Sequence, residues 1–391
     1  MGRRRKRRNP KFEYRRQNPD IFPHFCEICT PQRRFKEKPA LDQHDKMKHP
    51  FPELATPHPC LSFDYSVQRI HSNLMYSSTS SPLGTLSASE LQTFVTNEIE
   101  PDTAYNSSCK AVVHRLCQFM QNNFPAKLRP SEVVKSGSLG KGTAVKGKSD
   151  ADLVVFLSNY DSISSLKQNL PEILKEVETY LGSYGDCTIT GKTIHAVQIS
   201  LSCHANHYHD VDILPTVNIL AKQSKSQIYA EMKLKTLHDQ GFYSAPLTPL
   251  QIEFVSHVPA KVKTLIRLVK YWKKTELARI KGKPPVSYLL ELITIGKWEM
   301  AGKPQNFELR KGFFHIISAL VQNRYLELAW NTNYRAQDYT KFCTVPYVLD
   351  PAHPFNNVMG SCKCWEEVAY MANLFLTKEL FQGLSSLSGW L

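Results

Sequence analysis

Asp150 and Asp152 stand at the mouth of an apolar, β-branched run, Leu153-Val154-Val155-Phe156-Leu157. Such a run reads as a buried strand. Alternate residues of a strand share a face, so the two carboxylates point the same way. Carboxylates side by side repel unless a cation sits between them, and oxygen-only donors of this kind suit Mg²⁺. A second acidic pair, Asp210 and Asp212, is spaced the same way in His209-Asp210-Val211-Asp212-Ile213-Leu214-Pro215. One carboxylate from that strand, laid beside the first, completes a three-acid metal site. Upstream, Gly137-Ser138 and Gly140-Lys141-Gly142 form a flexible turn whose backbone N–H groups, with Lys141, can cradle a triphosphate. The order is wrong for a Walker loop, which needs Gly-x-x-x-x-Gly-Lys-Ser/Thr. The chemistry indicated is phosphoryl or nucleotidyl transfer. An Asp-x-Asp facing water at a strand end is the plain alternative; the glycine-spaced lysine upstream argues against it. His204, His207 and His209 form a loose cluster expected on the surface.

A second constellation lies near the N-terminus. Cys26-x₂-Cys29 and His44-x₄-His49 are fourteen residues apart, close to zinc-ligand spacing, with Phe35 and Leu41 between them. Two thiolates and two imidazoles satisfy tetrahedral Zn²⁺, and so small a core depends on the metal to fold. The pattern resembles the C2H2 zinc-finger family, which implies a small ββα finger with structural Zn²⁺. The gap from Cys29 to Phe35 is longer than in DNA-reading fingers, so RNA or a protein partner is as reasonable a ligand as DNA.

The elements that must position these groups follow from periodicity and composition. The chain has 391 residues and a formal net charge of +14. Residues 1–50 hold 15 Lys/Arg against 6 Asp/Glu, so +9 of the total sits there and a polyanionic partner is indicated. The run from Arg3 to Arg8 fits a nuclear-import signal or a nucleic-acid-binding arm. Nothing resembles a run of about 18 apolar residues, so no membrane span is expected. The basic start lacks an apolar secretory core. Ten scattered cysteines then read as reduced thiols, and the expected compartment is the cytoplasm, with the nucleus as a second site. The expected organisation is a basic tail at 1–20, the finger at 21–50, a Pro/Ser-rich linker at 51–87, a catalytic lobe at 88–225 and a helical lobe at 226–391. Helices are expected around Leu91–Ile99, Val112–Met120, Leu166–Leu181, Ala260–Trp272, Ser287–Trp298 and Trp365–Leu376, and strands within 187–202. Lys110 and His114, four apart on a helix, read as a solvated stripe.

Read together, Val-Lys-Ser-Gly-Ser-Leu-Gly-Lys-Gly-Thr, Ser-Asp-Ala-Asp-Leu-Val-Val-Phe, Val-Asp-Ile-Leu-Pro, Leu-Ile-Arg-Leu-Val-Lys-Tyr-Trp, Pro-Pro-Val-Ser-Tyr and Leu-Asp-Pro-Ala-His-Pro resemble the 2′-5′-oligoadenylate synthetases. The resemblance spans residues 88–391. It implies an α/β (α+β) bilobal nucleotidyltransferase, with a mixed-sheet N-lobe and a helical C-lobe. Such an enzyme is activated by double-stranded RNA and polymerises ATP into 2′-5′-linked oligoadenylates with release of pyrophosphate, in innate antiviral sensing. Carried onto this chain, it implies that Asp150, Asp152 and Asp212 hold two Mg²⁺ ions. Gly137, Ser138 and Lys141 would hold phosphates, with Arg267 and Lys270 closing on the triphosphate. Tyr288, next to Ser287, would pack on a base. Lys110, Lys135 and Lys261 match RNA-facing positions, while Gln121 and Ile252 stand where the family commonly has a cation. The Cys-Phe-Lys trimer used by some members to oligomerise is absent. Two other readings stay open: a cyclic-dinucleotide synthase of the cyclic GMP–AMP synthase kind, and a catalytically inactive RNA-binding member.

Overall fold

The computed structural model describes residues 24–26, 33–36, 82–147, 151–204 and 207–391. The chain divides into two compact units, Met1–Arg69 and Ile70–Leu391. In the first, β1 (His24–Cys26) pairs antiparallel with β2 (Arg33–Phe35). Cys29, His44 and His49, and the side chain of Cys26, lie outside what is described, as do Lys148, Ser149 and Asp150.

The larger unit is built on a five-stranded mixed sheet of order β3-β4-β7-β6-β5. Its strands are β3 (Pro130–Ser136), β4 (Ala151–Leu157), β5 (Cys187–Lys192), β6 (Val197–His204) and β7 (His207–Thr216). The run read as a buried strand is β4: every residue is buried except Asp152. β4 and β7 are parallel, and the other neighbours are antiparallel. A parallel pair needs a crossover, which α4 (Ile163–Leu181), β5 and β6 supply. Helix α4 lays Leu166, Leu170, Ile173, Leu174 and Val177 against the sheet, a spacing of three and four residues that marks one apolar face. Helix α2 (Thr103–Asn123) is capped by Asp102, which accepts from the Tyr105 N–H at 2.7 Å, and buries Val112, Val113, Leu116 and Met120.

After β7 comes α5 (Lys225–Lys233), whose Ile228 and Met232 join the core of the sheet, and the helical lobe gathers α6 (Thr248–Ser256), α7 (Ala260–Glu276), α8 (Ser287–Met300), α9 (Leu309–Val321) and α10 (Trp365–Leu376). Residues 82–99 pack here, not on the sheet. Leu83 in a 3₁₀ turn, Leu91 in α1 (Leu91–Phe94), and Val95 and Ile99 in the π-helical stretch that follows share the core of Leu265, Trp272 and Phe375. Leu83, within the stretch expected as linker, is fully buried in this core. A surface location for His209 is corrected too. On β7 it alternates with the acids, so it takes the buried face with Val211 and Ile213, its Nε2 3.3 Å from Cys109 Sγ of α2. No helix among the described residues is long and apolar enough to cross a membrane.

Candidate active site

Strand register draws one row of residues across all five strands: Ser136, Asp152, Asp212, Gln198 and Gly191. Neighbouring strands lie about 5 Å apart, so Asp152 and Asp212 are held side by side by the backbone itself. Asp210 enters the same cleft, of about 550 Å³, from the same face of β7. Gly137, at the start of the short helix α3 (Gly137–Lys141), packs onto this row with φ +63°, and a Cβ there would stand 2.5 Å from Asp152 Oδ2. Glycine is required at that point on both counts.

Positive charge forms another wall. Lys141, at the end of α3, and Lys270 of α7 are buried, and both reach Glu291 of α8. Their Nζ atoms lie 3.1 and 3.2 Å from the Glu291 carboxylate, which also accepts from Thr143 Oγ1 at 2.7 Å. Burial works against the charge of Glu291, but Lys141, Lys270 and the Thr143 hydroxyl outweigh it and hold the carboxyl below its ordinary range. Burial lowers Lys270, with Glu291 opposing. One carboxylate thus serves two buried ammoniums. Lys274, one turn further along α7, adds a cation at the cleft. A site of this charge suits an incoming polyphosphate.

Other expected contacts are distributed differently. Arg267 does not line the cleft. It donates to the carbonyls of Gly142 (2.7 Å) and Ala144 (3.1 Å) and lies 3.7 Å from Glu100, so it braces the loop after α3. Ser138, Ser287 and Tyr288 do line it. The Lys141 ammonium sits 4.0 Å over the Tyr288 ring, and the Tyr288 hydroxyl donates to Asp350 at 3.0 Å. Burial raises the Tyr288 phenol well above its ordinary value, and the Asp350 carboxylate adds to the rise. Asp350, fully buried, also accepts from Gln251 at 2.7 Å and from the Ala352 N–H at 2.9 Å, so the Leu-Asp-Pro-Ala-His-Pro turn anchors the ring that floors the site. Apart from the cleft-lining residues, Lys110, His114 and Lys135 meet in a basin that Leu139 and Gly140 of α3 also line. Lys261 does not line that basin; its ammonium lies 5.5 Å over Phe307.

Residues that sequence reasoning did not single out are Glu291, Lys274, Gln198 and Thr190, all of which line the cleft. Among the described residues no group of three or more His, Cys, Asp or Glu side chains is gathered as a metal cage. Asp152 and Asp212 supply two of the three expected carboxylates; Asp150 lies outside the described residues. The donors present are oxygens opposite a phosphate-suited pocket, which fits Mg²⁺.

Comparison with known proteins bears on the same two lobes. A family profile described as "Second Messenger Oligonucleotide or Dinucleotide Synthetase domain" matches residues 86–230, and one described as "2'-5'-oligoadenylate synthetase 1, domain 2, C-terminus" matches residues 222–390. The 2'-5'-oligoadenylate synthase 1A of Mus musculus is 31% identical over 342 residues, covering 79% of this chain and 93% of the relative. The chain belongs to the 2′-5′-oligoadenylate synthase family. The Rattus norvegicus synthase 1A is 32% identical, covering 77% of this chain and 93% of the relative. Against the longer synthase 3 of Mus musculus, at 30% identity, the match covers 74% of this chain and 28% of that protein. In fold, the chain resembles the structure titled "Structure of E. coli MS115-1 CdnC + ATP", with TM-score 0.54 and 18% identity over 74% of this chain and 89% of that one. The mixed sheet and helical lobe are thus those of a nucleotidyltransferase, and the synthase family's enzyme class is that of this chain.

Proposed function

We propose that this protein transfers adenylate from ATP to the 2′-hydroxyl of an acceptor adenylate, building 2′-5′-linked oligoadenylates, and that double-stranded RNA switches it on. One observation carries the reading: Asp152 and Asp212 are paired in register in the same cleft where two buried ammoniums share the single carboxylate of Glu291. One half of that arrangement suits a divalent cation, the other a triphosphate.

In this reading Asp152 and Asp212, with Asp150, hold Mg²⁺. When bound, the ion supplies charge that activates the attacking hydroxyl and neutralises the leaving pyrophosphate. Lys141, Lys270 and Lys274 receive the triphosphate oxygens, and Ser138 donates a hydroxyl beside them. Tyr288 orients the base, its ring fixed by Asp350 below and Lys141 above. Arg267 acts at one remove, holding the loop 142–144 so that Lys141 and Thr143 keep their places. The RNA requirement is supported by Lys110 and Lys135, whose basin abuts Gly140 of the same short helix that brings Gly137, Ser138 and Lys141 to the cleft. Residues of α3 thus line both the basin and the phosphate site.

Incubating the protein with ATP and Mg²⁺, with and without long double-stranded RNA, tests the reading by pyrophosphate release. RNA-stimulated release that disappears in Asp212→Asn is expected. Release from the variant equal to wild type would overturn the assignment of the acids.

A further inference from the structure

We propose that Gln198 is a positioning residue for Asp212: its side-chain amide grips the carboxylate and fixes its rotation. This rests on the nucleotidyltransferase reading of the cleft and adds a member to its machinery that the acidic motifs do not contain.

Gln198 stands directly opposite Asp212 across the antiparallel β6–β7 pair, and its Nε2 donates to Asp212 Oδ1 at 3.1 Å. It lines the cleft and is half-buried. The chemistry of the donor matters. Asp152 lies on the other side of Asp212 in the same row, so two like charges are neighbours there and repel. A lysine or arginine in place of Gln198 would restrain Asp212 but cancel its charge and compete with any cation. A neutral amide restrains it and leaves the charge in place. Donors that orient metal-binding carboxylates act in this way.

The far side of the row is shaped to match. Gly191 of β5 is in register with Gln198, and a Cβ built there would lie 3.0 Å from Gln198 Oε1. The missing side chain leaves the space that the amide oxygen occupies. The register of β5 also slips between Ile189 and Gly191, a local irregularity beside the cleft-lining Thr190. Irregularities of this type re-aim side chains next to active sites. Gly191, Gln198 and Asp212 therefore form a line in which pressure at Gly191 moves the amide, and the amide moves the carboxylate.

The test uses the full chain and two readouts: steady-state kinetics with ATP, and calorimetric titration with Mn²⁺ as the metal probe. Gln198→Leu keeps bulk but removes the donor. It should lower kcat by about 10- to 100-fold and weaken Mn²⁺ affinity on a similar scale, while KM for ATP stays within about twofold. In an Asp212→Asn background the same change should have no further effect on Mn²⁺ affinity. Gly191→Ala should lower kcat by a few-fold alone and by nothing once Gln198 is Leu, a non-additivity expected only of coupled residues. Wild-type kcat in Gln198→Leu with unchanged Mn²⁺ affinity would overturn the proposal. So would effects of Gly191→Ala and Gln198→Leu that simply add. Should the wild type release no pyrophosphate from ATP, the enzymatic reading falls. The Mn²⁺ cycle with Asp212→Asn would still decide whether Gln198 holds Asp212: coupling supports it, additivity rejects it.

Discussion

Glu291→Gln is the most informative single perturbation of the phosphate-binding wall. The native carboxylate is fully buried and is the shared partner of Lys141 and Lys270, at 3.1 and 3.2 Å. The amide keeps the shape and can still accept from Thr143, but it leaves two buried ammoniums without a counter-charge. Breaking a buried ion pair by removing one partner costs about 3–5 kcal/mol. At roughly 2 °C per kcal/mol for a chain of this size, the melting temperature should fall by about 6–10 °C. The pH dependence carries a sign. The folded-state pKa of Glu291 is depressed, so its stabilising contribution is present above the ordinary glutamate range and is lost as pH falls through the native value. Glu291→Gln should therefore show a smaller loss of stability on acidification than wild type. A companion variant removes the charges together: Lys141→Met, Lys270→Met and Glu291→Leu should recover most of the stability, as apolar replacement of buried ion pairs often does. It should also abolish nucleotide binding. Differential scanning calorimetry from neutral to acidic pH reads both effects. A melting temperature for Glu291→Gln within about 2 °C of wild type would refute the view that these lysines are charged and dry.

Other expectations follow from the same geometry. Asp152→Asn and Asp212→Asn should each lower ATP turnover by at least about a hundredfold, since several kcal/mol of charge stabilisation depend on these groups; melting temperature should hardly move, because both side chains are only half-buried. Asp350→Ala strands the Tyr288 hydroxyl and the Gln251 amide. It should destabilise by about 2–6 kcal/mol in denaturant titrations, with a raised KM for ATP, at about 1–3 kcal/mol per buried unpaired group. Removing residues 1–69 takes away the +9 carried by residues 1–50. At about 0.9 of log–log salt slope per phosphate neutralised, duplex RNA binding should weaken and its salt dependence flatten, with the maximal rate at saturating RNA unchanged. A peptide of residues 20–50 should bind one Zn²⁺ and gain helix on doing so, read by circular dichroism.

The sequence made the acidic strands legible because two local rules agree on them. An apolar run specifies burial, and period-two alternation puts Asp152, and separately Asp210 with Asp212, on one face. The same alternation carried the signal for His209, which falls on the opposite, buried face with Val211 and Ile213. What alternation cannot supply is register. That Gln198 meets Asp212, and that Gly191 meets Gln198, depends on how three strands slide past one another. Glu291 was hidden for a related reason: its partner Lys141 is 150 residues away, and inside Leu-Leu-Glu-Leu-Ile it reads as one polar residue in an apolar helix. Arg267 and Lys270 do lie three apart on α7, but the returning loop 142–144 offers carbonyls that capture Arg267 before it reaches the cleft. Leu83 lies inside a stretch that composition marks as linker; its burial depends on helices far along the chain, which composition does not register.

The most direct test of the central claim is the linkage of the product. ATP and Mg²⁺ are incubated with the protein and long double-stranded RNA, and the products are separated by mass and treated with a nuclease that cuts only 3′-5′ bonds. A ladder of linear oligoadenylates that forms only with RNA and survives the nuclease is the predicted result. A nuclease-sensitive ladder, a cyclic dinucleotide, or the same yield without RNA would contradict the account.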